Sequence, residues 1–225
     1  MGSPFGSAPS RFDPPSEPSG KVAIVLPGMG YSPSHPLLEF GRQSLLQHGW
    51  TVQQVWWDAP RGRSDHQIIE WVGEQARAAV DAERRADVPA ERILLMGKSL
   101  GTLASPVAAG LPCPAVWFTP LCDVAACLAG IGDAADAGAD QLLVGGLADS
   151  SWNAQLARAL GADRPVSEVP RTSGDQPQTR TRGVVEVVDF ADATHLLHVP
   201  GDAVRSAEIQ YDITRAVDRF LSRLG

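Results

Sequence analysis

Short apolar runs alternate along this chain with longer segments whose apolar residues recur at helical spacing, and this alternation limits the possible folds more than any other feature. The first run, residues 22–26, is continuously apolar, which is typical of a strand buried on both faces. The other runs are residues 51–57, 93–96, 115–119, 141–145 and 184–190, and the helical segments are residues 36–48, 64–86, 102–109, 152–160 and 203–224. The pattern predicts an α/β fold in which a mainly parallel sheet of about six strands carries helices on both faces.

The length of 225 residues fits one domain of this class, and we expect that domain to occupy residues 20–225. Residues 1–19 hold five prolines among serines and glycines, so they are predicted to be a disordered tail. Residues 163–183, rich in Pro and Arg, interrupt the alternation and are predicted to be a long loop, either a mobile insertion or a rim of the site. No other stretch is long enough for a cap domain.

The composition argues against several classes of protein. The net charge of −7 disfavours nucleic-acid binding through a basic surface. The three cysteines are an odd number without metal-ligand spacing, so we expect buried free thiols and no metal or other cofactor. No basic and then apolar leader begins the chain, and no apolar window is long enough to span a membrane. We therefore expect a cytoplasmic protein.

One motif carries a specific chemical suggestion. Residues 97–101 read Gly-Lys-Ser-Leu-Gly, which matches G-x-S-x-G, the turn that presents a nucleophilic serine between a strand and a helix. The match alone is weak, because glycine and serine are common in this chain. Its position directly after the strand at 93–96 and before the helix at 102–109 is the one that such a turn requires. We interpret Ser99 as a nucleophile.

A serine nucleophile needs a base to accept its proton and an acid to orient that base. Asp149 follows the strand at 141–145, and His195 follows the strand at 184–190, so both are predicted at carboxyl ends of strands. Asp123 is an alternative acid and His198 an alternative base. We favour His195 because His198 lies three residues further toward the last helix.

The reaction also needs N–H donors for the negative oxygen that forms on the attacked carbonyl. The backbone N–H of Leu100, directly after the nucleophile, is one candidate. Met29, in the Gly-rich turn at 27–30 after the first strand, is the second candidate.

Together, Leu26 to Ser32, the motif at 97–101, residues 147–149 and residues 193–195 resemble a small capless serine hydrolase of the α/β-hydrolase superfamily. The resemblance covers about residues 21–224 and extends to dienelactone-hydrolase-like proteins and small carboxylesterases. This chain departs from many members by having Pro-Gly in place of His-Gly at 27–28, and by having no apparent counterpart of two N-terminal antiparallel strands.

The resemblance implies a carboxylic ester or thioester as the small-molecule substrate, cleaved through an acyl-enzyme without a cofactor. The missing cap implies a shallow site for a short acyl group, bordered by Met29, Tyr31, Leu121 and Trp152. An acyltransferase or thioesterase with the same triad is an alternative, as is a non-catalytic binding protein of the same fold. Covalent labelling by a fluorophosphonate separates the enzymes from the binding protein. The sequence favours no oligomeric state.

Overall fold

In the computed structural model, which describes residues 8–161 and 182–225, a seven-stranded sheet forms the centre of the protein. The strands are β1 (Ser10–Asp13), β2 (Lys21–Leu26), β3 (Trp50–Val55), β4 (Ile93–Lys98), β5 (Ala115–Phe118), β6 (Gln141–Gly146) and β7 (Val185–Phe190). Their order in the sheet is β1-β3-β2-β4-β5-β6-β7, and all neighbours are parallel except β1 and β3.

In the described part of the chain, six α-helices cover the two faces of the sheet. They are α1 (Pro36–Gln47), α2 (Asp65–Arg85), α3 (Ser105–Gly110), α4 (Ala125–Asp136), α5 (Ala154–Gly161) and α6 (Ala203–Arg223). The apolar residues of α1 and α6 form one core cluster with one face, and those of α2 to α5 form a second cluster with the other face. The mainly parallel α/β architecture predicted from the sequence is confirmed.

Local sequence signals explain where the long helices begin. Ser64 starts α2 with a capping box, in which Gln67 N–H donates to Ser64 Oγ and Ser64 N–H donates to Gln67 Oε1. Asp202 starts α6 by accepting a hydrogen bond from Arg205 N–H at 2.9 Å. The central strands β4, β5 and β6 are buried along their whole length because both of their faces are covered by helices.

Two elements were not predicted. Strand β1 lies inside the stretch predicted to be disordered, and it pairs antiparallel with β3 from Ser10 opposite Val55 to Asp13 opposite Val52. The disorder prediction is therefore wrong for residues 10–13. These residues add a seventh strand, which lies antiparallel to β3 at one edge of the sheet. A short edge strand needs only one partner and carries little apolar sequence, so composition does not indicate it.

Helix α4 was missed for the opposite reason. Its sequence is mostly Ala and Gly, and alanines occupy exposed positions as well as buried ones, so the sequence shows little helical alternation of polar and apolar residues. It packs closely on α3, where a Cβ at Gly130 would lie 2.5 Å from the backbone nitrogen of Pro106. Residues 1–7 of the predicted tail and residues 163–181 of the predicted loop lie outside the described residues.

Candidate active site

The serine motif forms a sharp turn at the carboxyl end of the central strand β4. Ser99 follows the last residue of β4 and has a φ of 49°, a left-handed conformation that is unfavourable for a residue with a side chain. A 3₁₀ helix from Ser99 to Ala104 continues the chain. Thr102 Oγ1 donates a 2.6 Å hydrogen bond to the Ser99 carbonyl, which helps to hold the turn.

The two glycines of the motif are required by close contacts. A Cβ at Gly97 would lie 2.7 Å from the Gly101 carbonyl oxygen and 2.7 Å from the ring of Trp117. A Cβ at Gly101 would lie 2.2 Å from the carbonyl oxygen of Leu26, at the end of β2. The first and last positions of G-x-S-x-G therefore admit only glycine, because the turn packs directly on its own backbone and on the neighbouring strand.

The three residues proposed as nucleophile, base and acid lie together. Ser99 Oγ is 2.7 Å from His195 Nε2, and His195 Nδ1 is 2.7 Å from Asp149 Oδ2. The Asp149 side chain is 2% exposed, and its other oxygen accepts a hydrogen bond from Ser151 N–H at 3.0 Å. The His195 side chain is 34% exposed, so a reactant can reach the ring.

The alternative acid and base lie elsewhere. Asp123 is exposed and makes no hydrogen bond to His195. His198 Nδ1 lies 3.5 Å from Thr194 Oγ1, and Thr194 Oγ1 donates to the His198 carbonyl. The contacts of His198 therefore hold together the loop at residues 194–198. The geometry favours Asp149 and His195 over both alternatives.

The Gly-rich turn after β2 packs against the serine turn. Gly28 and Tyr31 exchange backbone hydrogen bonds of 3.1 and 3.3 Å, which leaves Met29 at the tip of the turn with 65% exposure. Leu100 is the second residue of its 3₁₀ helix, where a backbone N–H has no acceptor within the helix. The two predicted N–H donors thus lie on two segments in contact.

The predicted pocket residues have different surroundings. Tyr31 lines a cleft, and its hydroxyl accepts a hydrogen bond from Leu37 N–H at 3.1 Å. Leu121 is half-buried and packs against the core, while its N–H donates to Thr102 Oγ1. Trp152 is 7% exposed and packs on Gly145, where a Cβ would lie 2.1 Å from the indole. Of these three, Tyr31 alone lines the cleft described next.

A cleft of about 1510 Å³ begins at the Gly-rich turn. Met29 and Tyr31 line it together with Trp57, Trp71 and Arg61. The wall combines aromatic rings with a cationic side chain. Trp57 and Trp71 gave no functional signal in the sequence, because burial in a core explains a tryptophan equally well.

The three cysteines are free and buried. Cys113, Cys122 and Cys127 form no disulfide, as predicted. Burial raises the pKa of Cys113 to about 12 and that of Cys127 to about 11, so both stay protonated near neutral pH. In residues 8–161 and 182–225, no group of three or more His, Cys, Asp or Glu side chains is placed to hold a metal ion, and no helix is long and apolar enough to cross a membrane.

Known structures of the same architecture share this arrangement of strands and helices. An α/β serine hydrolase without a lid from Xanthomonas campestris matches with a TM-score of 0.65 and 17% identity, over 99% of this chain and 92% of that one. An esterase from Pyrococcus furiosus matches with a TM-score of 0.65 and 14% identity, over 100% and 91%. The chain adopts the α/β-hydrolase fold.

A dienelactone hydrolase from Anabaena variabilis shares the α/β-hydrolase fold with a TM-score of 0.61 and 16% identity, over 92% of this chain and 88% of that one. Comparison of the sequence with family models and with curated proteins finds no match. The described part of the chain contains no cap domain. Strand β1 adds an N-terminal antiparallel strand to the sheet of this chain, contrary to the expectation that it has no counterpart of such strands.

Proposed function

We propose that the protein is a cofactor-independent serine hydrolase that cleaves a carboxylic ester or thioester through an acyl-enzyme. The observation that carries the proposal is the pair of 2.7 Å contacts that joins Ser99 through His195 to Asp149 at a strained serine turn. The structures with the same fold include serine hydrolases and esterases, which supports the same class of reaction here.

In the first half of the reaction, Ser99 Oγ attacks the carbonyl carbon and its proton passes to His195 Nε2. Asp149 accepts the Nδ1–H of His195, which fixes the tautomer with a free Nε2 and stabilises the charged ring. The N–H groups of Leu100 and Met29 donate to the oxyanion. The tetrahedral intermediate then expels the alcohol or thiol, which takes the proton from His195 Nε2.

In the second half, His195 takes a proton from water, and the resulting hydroxide attacks the acyl carbon on Ser99. The intermediate collapses to a carboxylic acid and restores the serine hydroxyl with the proton held by His195. Atoms balance as one ester plus one water giving one acid plus one alcohol.

The cleft that begins at Met29 offers space for the organic part of the ester. Its lining includes Met29 and Tyr31 but not Ser99, Leu100 or His195, so the expectation of a shallow site for a short acyl group stays a prediction. We propose Met29 and Tyr31 as the residues where the cleft meets the reacting carbonyl. Leu121 and Trp152 stay predictions for the opposite border.

The test is turnover of p-nitrophenyl esters of about two to about twelve acyl carbons. Each methylene that enters an apolar pocket changes kcat/KM by a measurable factor, so the series also shows which acyl length fits best. We expect Ser99→Ala and His195→Ala to lower kcat/KM by about 10⁴-fold or more. His198→Ala is the matched control and is expected to keep wild-type turnover. Equal activity of the wild type and Ser99→Ala would contradict the proposal.

A further inference from the structure

A lysine is buried at the point where the serine turn begins. Lys98 is the last residue of β4 and directly precedes Ser99, and its side chain is among the largest in the protein with at most 2% exposure. Lysine is almost never fully buried unless an acidic group pairs with it. The burial of Lys98 therefore requires an explanation beyond its position at the end of β4.

The side chain runs under the Gly-rich turn. Lys98 Cδ lies 3.1 Å from the position that a Cβ would occupy at Gly28, so the aliphatic chain fills the space left by that glycine. The ammonium lies over the ring of Tyr31, with Nζ 5.1 Å from the ring centroid. Lys98 therefore contacts both residues whose mutual hydrogen bonds close the turn that carries Met29.

Within residues 8–161 and 182–225, the Lys98 ammonium lacks the hydrogen-bonded acidic partner that a buried lysine usually has. Within the described part of the chain, no hydrogen bond and no ion pair within 4 Å reaches Nζ, and the one acidic group whose charge acts on it is Asp149. Burial lowers the pKa of Lys98 to about 8, and Asp149 opposes part of that decrease. Among the described residues, the Tyr31 ring and the carboxylate of Asp149 are the groups that favour the charged form of Lys98 at this buried position.

We propose that Lys98 is a positioning residue of this active site, which holds the Met29 turn against the serine turn and keeps a positive charge beside the place where the oxyanion forms. The inference rests on the proposed function. A buried positive charge held close to developing negative charge stabilises it, and it needs no rearrangement during the reaction. Only the protonated form of Lys98 supplies that charge.

Other titratable groups face the same region. Tyr31 belongs to the Gly-rich turn, and burial raises the pKa of its hydroxyl above the usual 10.0, so it stays protonated where Lys98 titrates. His35 stacks on Tyr31 with ring centroids 4.5 Å apart, and Asp149 and His195 approach from the loops after β6 and β7. Because Tyr31 stays protonated in this range, we expect the titration of Lys98 to appear as a loss of activity near pH 8.

The experiment measures kcat/KM for p-nitrophenyl butyrate from about pH 6 to about pH 10 in the wild type and in Lys98→Met. We expect the wild-type value to fall above about pH 8, and Lys98→Met to lose this alkaline decrease and about tenfold of kcat/KM at pH 7. Lys21→Met removes the only other lysine, at the opposite end of the sheet, and is expected to keep the wild-type profile.

A second measurement needs no variant of Lys98. With ¹³Cε-labelled lysine the wild type gives two ε-carbon signals, which Lys21→Met assigns, and the Lys98 signal is expected to titrate at the same pH as the alkaline decrease of kcat/KM. An active wild type with an unchanged profile in Lys98→Met, or with a Lys98 signal that titrates near its ordinary pKa, would overturn the role of Lys98 alone. A wild type without activity at any pH would overturn the proposed function and this role with it.

Discussion

The protein has one lysine at each end of its parallel strands, and the two lysines have different surroundings. At the amino end, Lys21 Nζ donates to the Gly225 carbonyl and lies over the ring of Trp50. At the carboxyl end, Lys98 is more deeply buried and lacks a hydrogen bond within the described residues. Of these two lysines, the one at the amino end therefore has a hydrogen-bond acceptor, whereas the one at the carboxyl end has none among the described residues.

Backbone strain follows the same division. Four residues other than glycine have a positive φ in the described chain, and three of them, Ser99, Thr119 and Leu197, lie beyond the carboxyl ends of β4, β5 and β7. The fourth, Asp87, lies at the amino end, in the loop before β4. Strain that persists where the surroundings enforce it is typical of functional sites. The distribution of strained residues is therefore consistent with a functional site at the carboxyl end of the parallel strands and not at their amino end.

The largest expected effect is on activity at the carboxyl end. Asp149→Asn keeps the shape of the side chain but removes the charge that orients His195, so we expect kcat to fall by about 10³- to 10⁴-fold with little loss of stability. Turnover of p-nitrophenyl esters measures this. Asp123→Asn is the matched control with wild-type turnover expected, and a loss of activity in that variant instead would reverse the choice of acid.

The second effect is on stability at the serine turn. Gly101→Ala places a Cβ 2.2 Å from the Leu26 carbonyl oxygen, so we expect the free energy of unfolding to fall by about 3 kcal/mol or more. Gly110→Ala, with no atom within 4 Å of its added Cβ, is expected to be neutral or slightly stabilising. Urea unfolding of both variants tests the contrast. Equal stability would show that the end of β2 can move away from the serine turn at little cost in free energy.

The third prediction separates stability from activity at Lys98. The pKa of Lys98 is about 8 in the folded protein and 10.5 in the unfolded chain, so burying the charged form destabilises the fold below pH 8. Between those values the unfolded chain binds more protons, and wild-type stability rises with pH. We expect Lys98→Met to raise the free energy of unfolding by about 2 kcal/mol at pH 7, with the gain lost as the pH passes 10.5.

Urea unfolding at several pH values measures that gain, with Lys21→Met as the comparison at the amino end. A Lys98→Met variant that is less stable than the wild type at pH 7 would mean that the ammonium stabilises the fold. The contrast between the two ends of the sheet would then fail for this pair of lysines.

The smallest effect is at Asp87, whose φ of 61° is the one strained non-glycine conformation described at the amino end. Asp87→Gly relieves that strain, so we expect a gain in stability of up to about 1 kcal/mol and unchanged turnover. Thermal unfolding and ester turnover of the same preparation test it. A change in kcat would link the loop before β4 to the site, which this account does not expect.

The candidate catalytic residues could be predicted from the sequence because each follows a predicted strand and their order along the chain is that of a known family. Ser99, Asp149 and His195 each follow an apolar run, and parallel strands bring the ends of such runs to one edge of the sheet. The cleft beside Tyr31 and the burial of Lys98 depend on contacts between loops far apart in sequence. No local pattern encodes such contacts, which is also why β1 and its pairing with β3 were missed.

The burial of Lys98 was not predicted. The sequence predicts a strand at 93–96 and places Lys98 in the turn motif that follows, where a charged residue is not unusual. In the structure β4 extends to Lys98, which is the one charged residue of this buried strand. Its role could be inferred only from the structure, because only the position of Gly28 and Tyr31 shows what the side chain contacts.

The most direct test of the central claim is to treat the protein with a fluorophosphonate and locate the adduct by mass spectrometry of its peptides. We expect one adduct, on the peptide that contains Ser99, which is absent in Ser99→Ala, strongly slowed in His195→Ala and unchanged in His198→Ala. A wild type that takes no label, or a Ser99→Ala variant that is labelled equally, would contradict the account of Ser99 as an activated nucleophile.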